Sequence, residues 1–195
     1  QEFNMAGNFR VLALIAFVSG ACVMVLELLG SRLLAPFFGT TMFAWTSLIG
    51  VILAGLSVGY WLGGILADKE PSLGRLSLLL FAAGILVSLL PIFLPIFLSP
   101  AMLFGLRFGP LVISFLIFFL PSLLMGTVSP YVVRLASHDV AHVGNTAGSL
   151  YAISTLGSIV GVLLAGFWLI PSFGLTLITE GVATTLLSCI LFRCP

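Results

Sequence analysis

The 195-residue chain is 61% hydrophobic and only 7% charged, against roughly 25% charged residues in an ordinary soluble domain, and its mean hydropathy is +1.30. A soluble fold could not cover this much apolar surface, so the composition indicates an integral membrane protein. The net charge of +1, with cations spread singly along the chain, excludes the basic surface of a nucleic-acid-binding protein. The three cysteines suggest neither a disulfide framework nor a metal knuckle, and we expect no cofactor.

The first four residues are predicted to be a cloning remnant, because Glu2-Phe3 is typical of such a remnant and Met5 reads as a start. Residues 5–195 are then expected to form a single transmembrane domain. A cleaved lipoprotein signal ending at Cys22 is disfavoured, because the apolar run continues to Phe38 and is too long for a signal core.

Six apolar runs are long enough to cross a bilayer, which takes about 20 residues of helix. They are 11–36, 42–67, 76–98, 111–135, 146–170 and 175–192, and glycines, prolines and polar residues separate them. The stretch 99–110 fits either an interfacial half-helix or the start of the fourth span. The sequence therefore predicts an all-α integral membrane protein with six transmembrane helices.

The positive charges between the spans predict the orientation. With a cytoplasmic N-terminus, the inner side carries five basic residues and the outer side only Arg107. The inner five are Arg10, Lys69, Arg75, Arg134 and Arg193. We therefore expect a multi-pass protein of the inner (cell) membrane with both termini in the cytoplasm.

Small residues recur every four positions on the second and fifth spans. Gly55, Gly59 and Gly63 share one helical face, and Gly157 and Gly161 share another, continued by Ala165. Small residues let membrane helices approach closely, so both sets are predicted to be helix-packing faces. Their recurrence on spans two and five is what a three-plus-three inverted repeat would produce.

Three ionisable residues lie inside the predicted spans: Glu27 and Arg32 on the first and Glu180 on the sixth. A charge at mid-bilayer costs at least roughly 2.5–3.5 kcal/mol, so such residues usually face a partner or a wet cavity. Glu27 and Arg32 point some 140° apart on a helix, which favours a contact between Arg32 and Glu180 across helices. Two interpretations stay open: a substrate-binding or gating site for a cation, or a structural salt bridge with Arg32 partly snorkelling.

A metal site is not predicted. His138 and His142, with Asp139 between them, have the spacing of a two-histidine site if their loop is helical, but no third ligand is evident nearby. We interpret this segment as a solvated cytoplasmic loop.

Two segments resemble known membrane proteins. GGILADK at 63–69 resembles the cytoplasmic loop signature of the major facilitator superfamily, in which Gly64 precedes Asp68 and the basic Lys69. A more specific set resembles the membrane domain of the fused major facilitator/spermidine synthase family: LELLGSRLLA at 26–35, FGTT at 38–41, GSLYAISTLG at 148–157 and PSFG at 171–174.

This resemblance implies one half of a major facilitator fold over residues 11–192, in which Glu27 and Arg32 match the family's intramembrane Glu and Arg and Asp68 its loop acid. It also implies a cytoplasmic aminopropyltransferase domain. No glycine fingerprint or strand-helix alternation for that enzyme stands in this sequence, and no catalytic site is apparent. We expect the enzyme either beyond residue 195 of a longer chain or on a separate chain.

The leading functional hypothesis is a membrane module that translocates or hands over a small cationic solute such as a polyamine, with Glu27 and Glu180 as amine-binding carboxylates. The alternative is a non-transporting anchor or scaffold for a cytoplasmic aminopropyltransferase. Six spans are half of a facilitator. A homodimer packed along the glycine faces of spans two and five would restore twelve helices.

Overall fold

The computed structural model describes residues 2–137 and 143–189, with side chains from Phe9 onward, and helix is the only regular secondary structure in these residues. A π-helical turn, Ala165–Leu169, joins the seventh helix to the eighth. In chain order the helices are α1 (Glu2–Phe38), α2 (Met42–Lys69), α3 (Leu73–Ser88), α4 (Leu90–Met102), α5 (Gly105–Gly126), α6 (Val128–Ala136), α7 (Val143–Leu164), α8 (Ile170–Ser172) and α9 (Leu175–Ser188).

Four helical segments are long and apolar enough to cross a membrane: Phe9–Phe38, Met42–Lys69, Gly105–Ala136 and Val143–Ser172. The pair α3–α4, bent by 59°, is a fifth if it is counted as one span. The helix α9 is apolar and 14 residues long. The predicted all-α class is thus confirmed for the described residues, whose helices have the length and composition of a multi-pass membrane protein.

Prolines mark the two internal breaks. The third predicted span, 76–98, is divided at Leu89, because Pro91 has no N–H to donate to the carbonyl of Val87. In the same way Pro130 cannot bond to the carbonyl of Gly126, and the helix changes from α5 to α6 at Thr127. The fourth predicted span begins earlier than position 111, since α5 starts at Gly105, and the stretch 99–110 is shared between α4 and α5.

A tight turn joins α1 to α2. Gly39 adopts a positive φ of 69°, which a residue with a side chain rarely takes, and so ends α1. Thr41 then caps α2, since its hydroxyl oxygen accepts a 3.3 Å hydrogen bond from the N–H of Ala44. These two residues reverse the chain, so that α2 runs back beside α1.

The glycine face of α2 packs on α5 and α6. A Cβ at Gly55 would contact the carbonyl of Phe119, one at Gly59 the carbonyl of Leu123, and one at Gly63 the backbone of Thr127. Each step of four residues on α2 therefore matches a step of four on α5–α6, so the two helices run in the same direction at close range.

A second parallel pair joins α1 to α7. A Cβ at Gly157 would contact the carbonyl of Phe17, and a Cβ at Gly161 would contact the backbone of Ala21. Here too a step of four on one helix matches a step of four on the other. Helices α3 and α9 form a third pair, in which Gly84 lies against Ala183 and Leu187.

The structure thus places both predicted glycine faces at contacts within one chain. Because α5–α6 and α1 already occupy these faces, a second copy of the chain could not pack along them. A homodimer would have to use a different surface from the one suggested by the sequence.

Candidate functional site

The three ionisable residues of the predicted spans are not gathered into one cluster. Glu27 is half-buried on α1, whereas Arg32 on α1 and Glu180 on α9 are exposed. The ion pairs among the described residues join Arg75 to Glu70 and Arg134 to Asp68, so no pair forms between Arg32 and either glutamate in that part of the chain.

Glu180 opens onto a large groove that we call the apolar groove. This groove has a volume of about 710 Å³ and lies between α1, the α7–α8 segment and α9. Apart from Glu180, Thr184 and Thr185, the side chains around it are apolar, and Val25 is among its α1 residues. Glu27 points about 160° away from Val25 around the axis of α1. Glu27 and the groove that contains Glu180 therefore lie on opposite sides of α1.

A second cavity, which we call the hydroxyl pocket, lies between α2, α6 and α7 and has a volume of about 560 Å³. Six of its seven residues carry a hydroxyl group. The lining residues are Tyr60, Ser129, Pro130, Tyr151, Ser154, Thr155 and Ser158. This pocket is more polar than the apolar groove.

One helix supplies most of the hydroxyls. Tyr151, Ser154, Thr155 and Ser158 follow the i, i+3, i+4, i+7 spacing of a single helical face of α7. Tyr60 reaches the same space from α2, and Ser129 reaches it from the first turn of α6. The pocket therefore depends on how three helices pack.

The contact between α1 and α7 links Glu27 to this pocket. The hydroxyl of Ser158 donates to the carbonyl of Gly20 at 3.1 Å and shares that hydrogen with the carbonyl of Ser154 at 3.2 Å. A side chain at Gly20 would collide with Ser154, so glycine is required for the approach. Glu27 lies seven residues beyond Gly20, two turns along the same face and about 10 Å away.

By helical spacing Glu27 therefore lies on the same side of α1 as Gly20, which contacts Ser158 at the edge of the hydroxyl pocket. In hydrocarbon a carboxylate is stabilised only by a cation or by hydrogen-bond donors. Thr155 and Ser158 already donate to backbone carbonyls, and their hydroxyl oxygens remain acceptors for an ammonium group. The ring faces of Tyr60 and Tyr151 can add cation–π attraction for an ammonium group. This combination of groups suits a small cationic ligand.

The predicted loop motif lies at the far end of α2 from Thr41. Asp68 pairs with Arg134 of α6, with 3.2 Å between Oδ1 and Nε, and Glu70 pairs with Arg75 of α3. Gly64 faces open space and Lys69 is exposed. The loop after α2 is thus tied by ion pairs to both α6 and α3.

The histidine segment 138–142 lies outside the described residues. Within the described ranges no group of three or more His, Cys, Asp and Glu is placed to hold a metal ion. The free cysteines Cys22 and Cys189 are buried in the helical core.

Sequence reasoning missed the hydroxyl pocket. The polar face of α7 was visible as Tyr151, Ser154, Thr155 and Ser158, a helical stripe in an otherwise apolar span. Tyr60 and Ser129 had no such signal, because only the packing of α2 and α6 brings them to α7.

None of the protein-family models, curated proteins or solved structures with which the chain was compared matches it. The resemblance to the fused major facilitator/spermidine synthase family therefore stays a prediction from the motifs.

Proposed function

We propose that this chain is a membrane module that binds a small cationic solute, such as a polyamine, and translocates it or hands it to a cytoplasmic enzyme. The observation that carries the proposal is the position of Glu27. Glu27 is half-buried and without an ion-pair partner among the described residues, and it lies two helical turns from Gly20, which contacts Ser158 at the edge of the hydroxyl pocket. Such a carboxylate at membrane depth favours a cationic partner.

The proposal places Glu27 and the hydroxyl pocket in successive roles. Glu27 attracts the ammonium group, and the hydroxyls of Ser154, Ser158 and Tyr60 replace part of its hydration shell. A linear solute with two amino groups would reach from Glu27 toward the pocket, since about 10 Å of helix separates Gly20 from Glu27. Glu180 is left out of this role, because it faces the apolar groove on the other side of α1.

The proposal includes six spans arranged as a three-plus-three inverted repeat. Its support is the pairing of the helices: α2 (span two) packs in parallel on α5–α6 (span four), and α7 (span five) packs in parallel on α1 (span one). In such a repeat, spans one, two and three correspond to spans four, five and six. The pair of spans two and four then corresponds to the pair of spans five and one, and the α3–α9 pair, spans three and six, corresponds to itself. Both parallel pairs also use small residues at four-residue spacing.

For the membrane we propose the inner (cell) membrane, with the N-terminus and C-terminus on the cytoplasmic side. The support is the distribution of basic residues. Lys69, Arg75 and Arg134 lie together where α2, α3 and α6 approach one another, and Arg107 lies near the start of α5 at the opposite end.

Uptake of labelled putrescine and spermidine into proteoliposomes tests the proposal. The chain should give saturable uptake, and Glu27→Gln should reduce it strongly while leaving the circular dichroism spectrum and the elution profile unchanged. Lack of uptake by the folded protein under every imposed proton or sodium gradient would reject transport. Equilibrium binding of the same amines to the chain in nanodiscs then tests whether it hands a solute over without translocating it.

A second candidate function is an anchor for a cytoplasmic aminopropyltransferase. The observation that favours it is the tied α2–α3 loop, where the Asp68–Arg134 and Glu70–Arg75 pairs hold polar side chains in place at one end of the bundle. This function predicts that Lys69→Ala weakens capture of the enzyme and that Glu27→Gln does not. Transport predicts instead that Glu27→Gln lowers amine uptake and that Lys69→Ala does not.

A further inference from the structure

The apolar groove has the size and composition of a small-molecule site. Its volume of about 710 Å³ lies within the range of about 300–1,000 Å³ that such sites have, and most of the side chains around it are apolar. Its walls come from residues 17–25 of α1, 161–173 of α7 and α8, and 177–185 of α9. Sites of this class hold the apolar body of a ligand on their walls and orient it with a few polar groups.

The polar side chains of the groove all lie on α9, and all of them present hydrogen-bond acceptors. The hydroxyls of Thr184 and Thr185 donate to the carbonyl of Gly181 at 3.0 Å and 2.7 Å, so only the lone pairs of their oxygens are left for a ligand. The ionised carboxylate of Glu180 is also an acceptor only. A ligand held by these groups must therefore supply the donors.

Glu180 gives the groove an unbalanced negative charge. Among the described residues that line the groove it is the only charged one, and neither ion pair of the described ranges includes it. It lies about 8 Å along α9 from the start of that helix, and an unpaired carboxylate at such a depth in a membrane is costly. A cationic ligand would remove this cost, whereas an anionic one would be repelled.

Trp168 lies at a similar depth on the opposite wall. It is four residues, or about 6 Å, before the end of α8, and α9 begins just after the following turn. The indole belongs to the π-helical turn Ala165–Leu169 and packs edge-on against Phe173, with 5.8 Å between the ring centroids. Turns of this kind are frequent at functional sites, and an indole ring attracts cations. Because Trp168 is 58% exposed, the groove is open to the bilayer at this level.

We propose that the apolar groove binds an alkylamine, a single-chain amphiphile with a protonated amino head group, which enters from the bilayer. The ammonium group donates to Glu180 and Thr184 beside the ring of Trp168, and the alkyl chain lies along the apolar walls. Phospholipids fit less well, because none of the described residues around the groove is basic and could hold a phosphate. This site is separate from Glu27 and the hydroxyl pocket, and its ligand differs from the polyamines of the proposed function in having a long apolar chain.

Tryptophan quenching in phosphatidylcholine nanodiscs tests the proposal. The background is the full chain with Trp45→Phe and Trp61→Phe, which leaves Trp168 as the reporter. The probes are octadecylamine with a nitroxide on its chain and the matched nitroxide octadecanol, at neutral pH, where the amine is protonated. The amine should reach half-quenching at a mole fraction about 10-fold lower than the alcohol, as expected for a charge-assisted hydrogen bond. Equal quenching by the two probes would overturn the proposal.

A chain that keeps Trp45 instead, with Trp61→Phe and Trp168→Phe, controls for partition of the probes into the bilayer. Trp45 is 40% exposed, lies outside the groove and is about 5 Å from the start of α2, at the same end of the bundle as Trp168. The two probes should quench it equally. The same preference for the amine at Trp45 would mean that the amine is not held in the groove and would overturn the proposal.

Two substitutions in the Trp168 reporter chain act on the groove by different routes. Glu180→Gln removes the charge and should make the amine no better a quencher than the alcohol. Gly181→Leu fills part of the groove and should also reduce the preference for the amine, although Glu180 is kept. Gly50→Leu on α2 is the matched control, because an added Cβ meets nothing within 4 Å at either glycine, and it should leave the preference unchanged. A preference that survives both groove substitutions would contradict the proposed site.

The head group of the ligand is tested with nitroxide-labelled phospholipids. Phosphatidylethanolamine and phosphatidylglycerol that carry the nitroxide at the same chain position should quench Trp168 no better than the alcohol. Quenching by phosphatidylethanolamine that equals quenching by octadecylamine would overturn the assignment to an alkylamine and would make the groove a phospholipid site.

Discussion

The hydroxyl of Tyr131 on α6 donates a 2.7 Å hydrogen bond to the backbone carbonyl of Glu70, 61 residues earlier in the chain. Tyr131 is completely buried, so this bond fixes the end of α2 against α6 from inside the bundle. The exposed Asp68–Arg134 pair lies beside it.

Tyr131→Phe should therefore destabilise the fold. Removing the hydroxyl costs about 1 kcal/mol, the net value of a typical buried hydrogen bond, while the ring keeps its packing. Thermal unfolding in detergent micelles measures the change as a lower midpoint. Tyr151→Phe is the control, because its ring is half exposed and the substitution should leave the midpoint nearly unchanged. Equal effects of the two variants would contradict the assigned role of Tyr131.

Gly59→Ala should be among the more damaging small substitutions in the chain. The added methyl would collide with the carbonyl of Leu123 and the Cα of Gly126, so α2 and α5 would have to move apart. Overpacking of this kind costs about 1–3 kcal/mol.

The control is Gly64→Ala, five residues further along the same helix, where an added Cβ meets nothing within 4 Å. The better helix propensity of alanine should make this variant neutral or more stable by up to about 1 kcal/mol. Titration of unfolding with dodecyl sulfate in mixed micelles compares the two. Gly59→Ala is expected to lower the stability, and Gly64→Ala is expected to leave it unchanged or raise it. A Gly59→Ala variant as stable as the wild-type chain would mean that α2 and α5 are not in close contact.

The Asp68–Arg134 pair should contribute little to stability. The side chains are 76% and 48% exposed, and ion pairs in such settings contribute about 0.2–1 kcal/mol. A double-mutant cycle with Asp68→Asn and Arg134→Gln measures their coupling directly. The coupling should fall as salt is raised, because exposed charges are screened. A coupling that exceeds this range and does not depend on salt would show that the loop is more enclosed than the structure indicates.

Composition and the spacing of the apolar runs were enough to predict the all-helical class and the positions of most helices. The predicted starts of spans two and six, at positions 42 and 175, coincide with the starts of α2 and α9, because Thr41 and Gly174 are local signals that act on the adjoining turn. The break at Leu89 was not predicted, although Pro91 lies inside the third predicted span. A proline removes one hydrogen bond, and tertiary packing decides whether the helix then bends gently or breaks.

The candidate site was harder to predict for the same reason. Glu27 stands out in any apolar sequence, but its relation to Ser158 depends on Gly20, which looks like any other membrane glycine until α7 packs against it. The expected contact between Arg32 and Glu180 rested on their opposite charges and on the 140° angle between Glu27 and Arg32 around α1. Helix rotation, which charge does not determine, turns Glu180 toward the apolar groove.

The two glutamates provide the last prediction, because the sequence offered both as amine-binding residues and the structure separates them. Glu27→Gln should reduce amine uptake by about 10- to 100-fold, which corresponds to loss of a charge-assisted interaction of about 1.5–3 kcal/mol. Glu180→Gln should change uptake less than about 2-fold, since the apolar groove lies on the opposite side of α1. Glu27→Asp keeps the charge and should retain part of the activity. Uptake that is lost in Glu180→Gln and kept in Glu27→Gln would move the site to the apolar groove. Equal losses in both, with unchanged unfolding midpoints, would require a path that passes α1 on both sides.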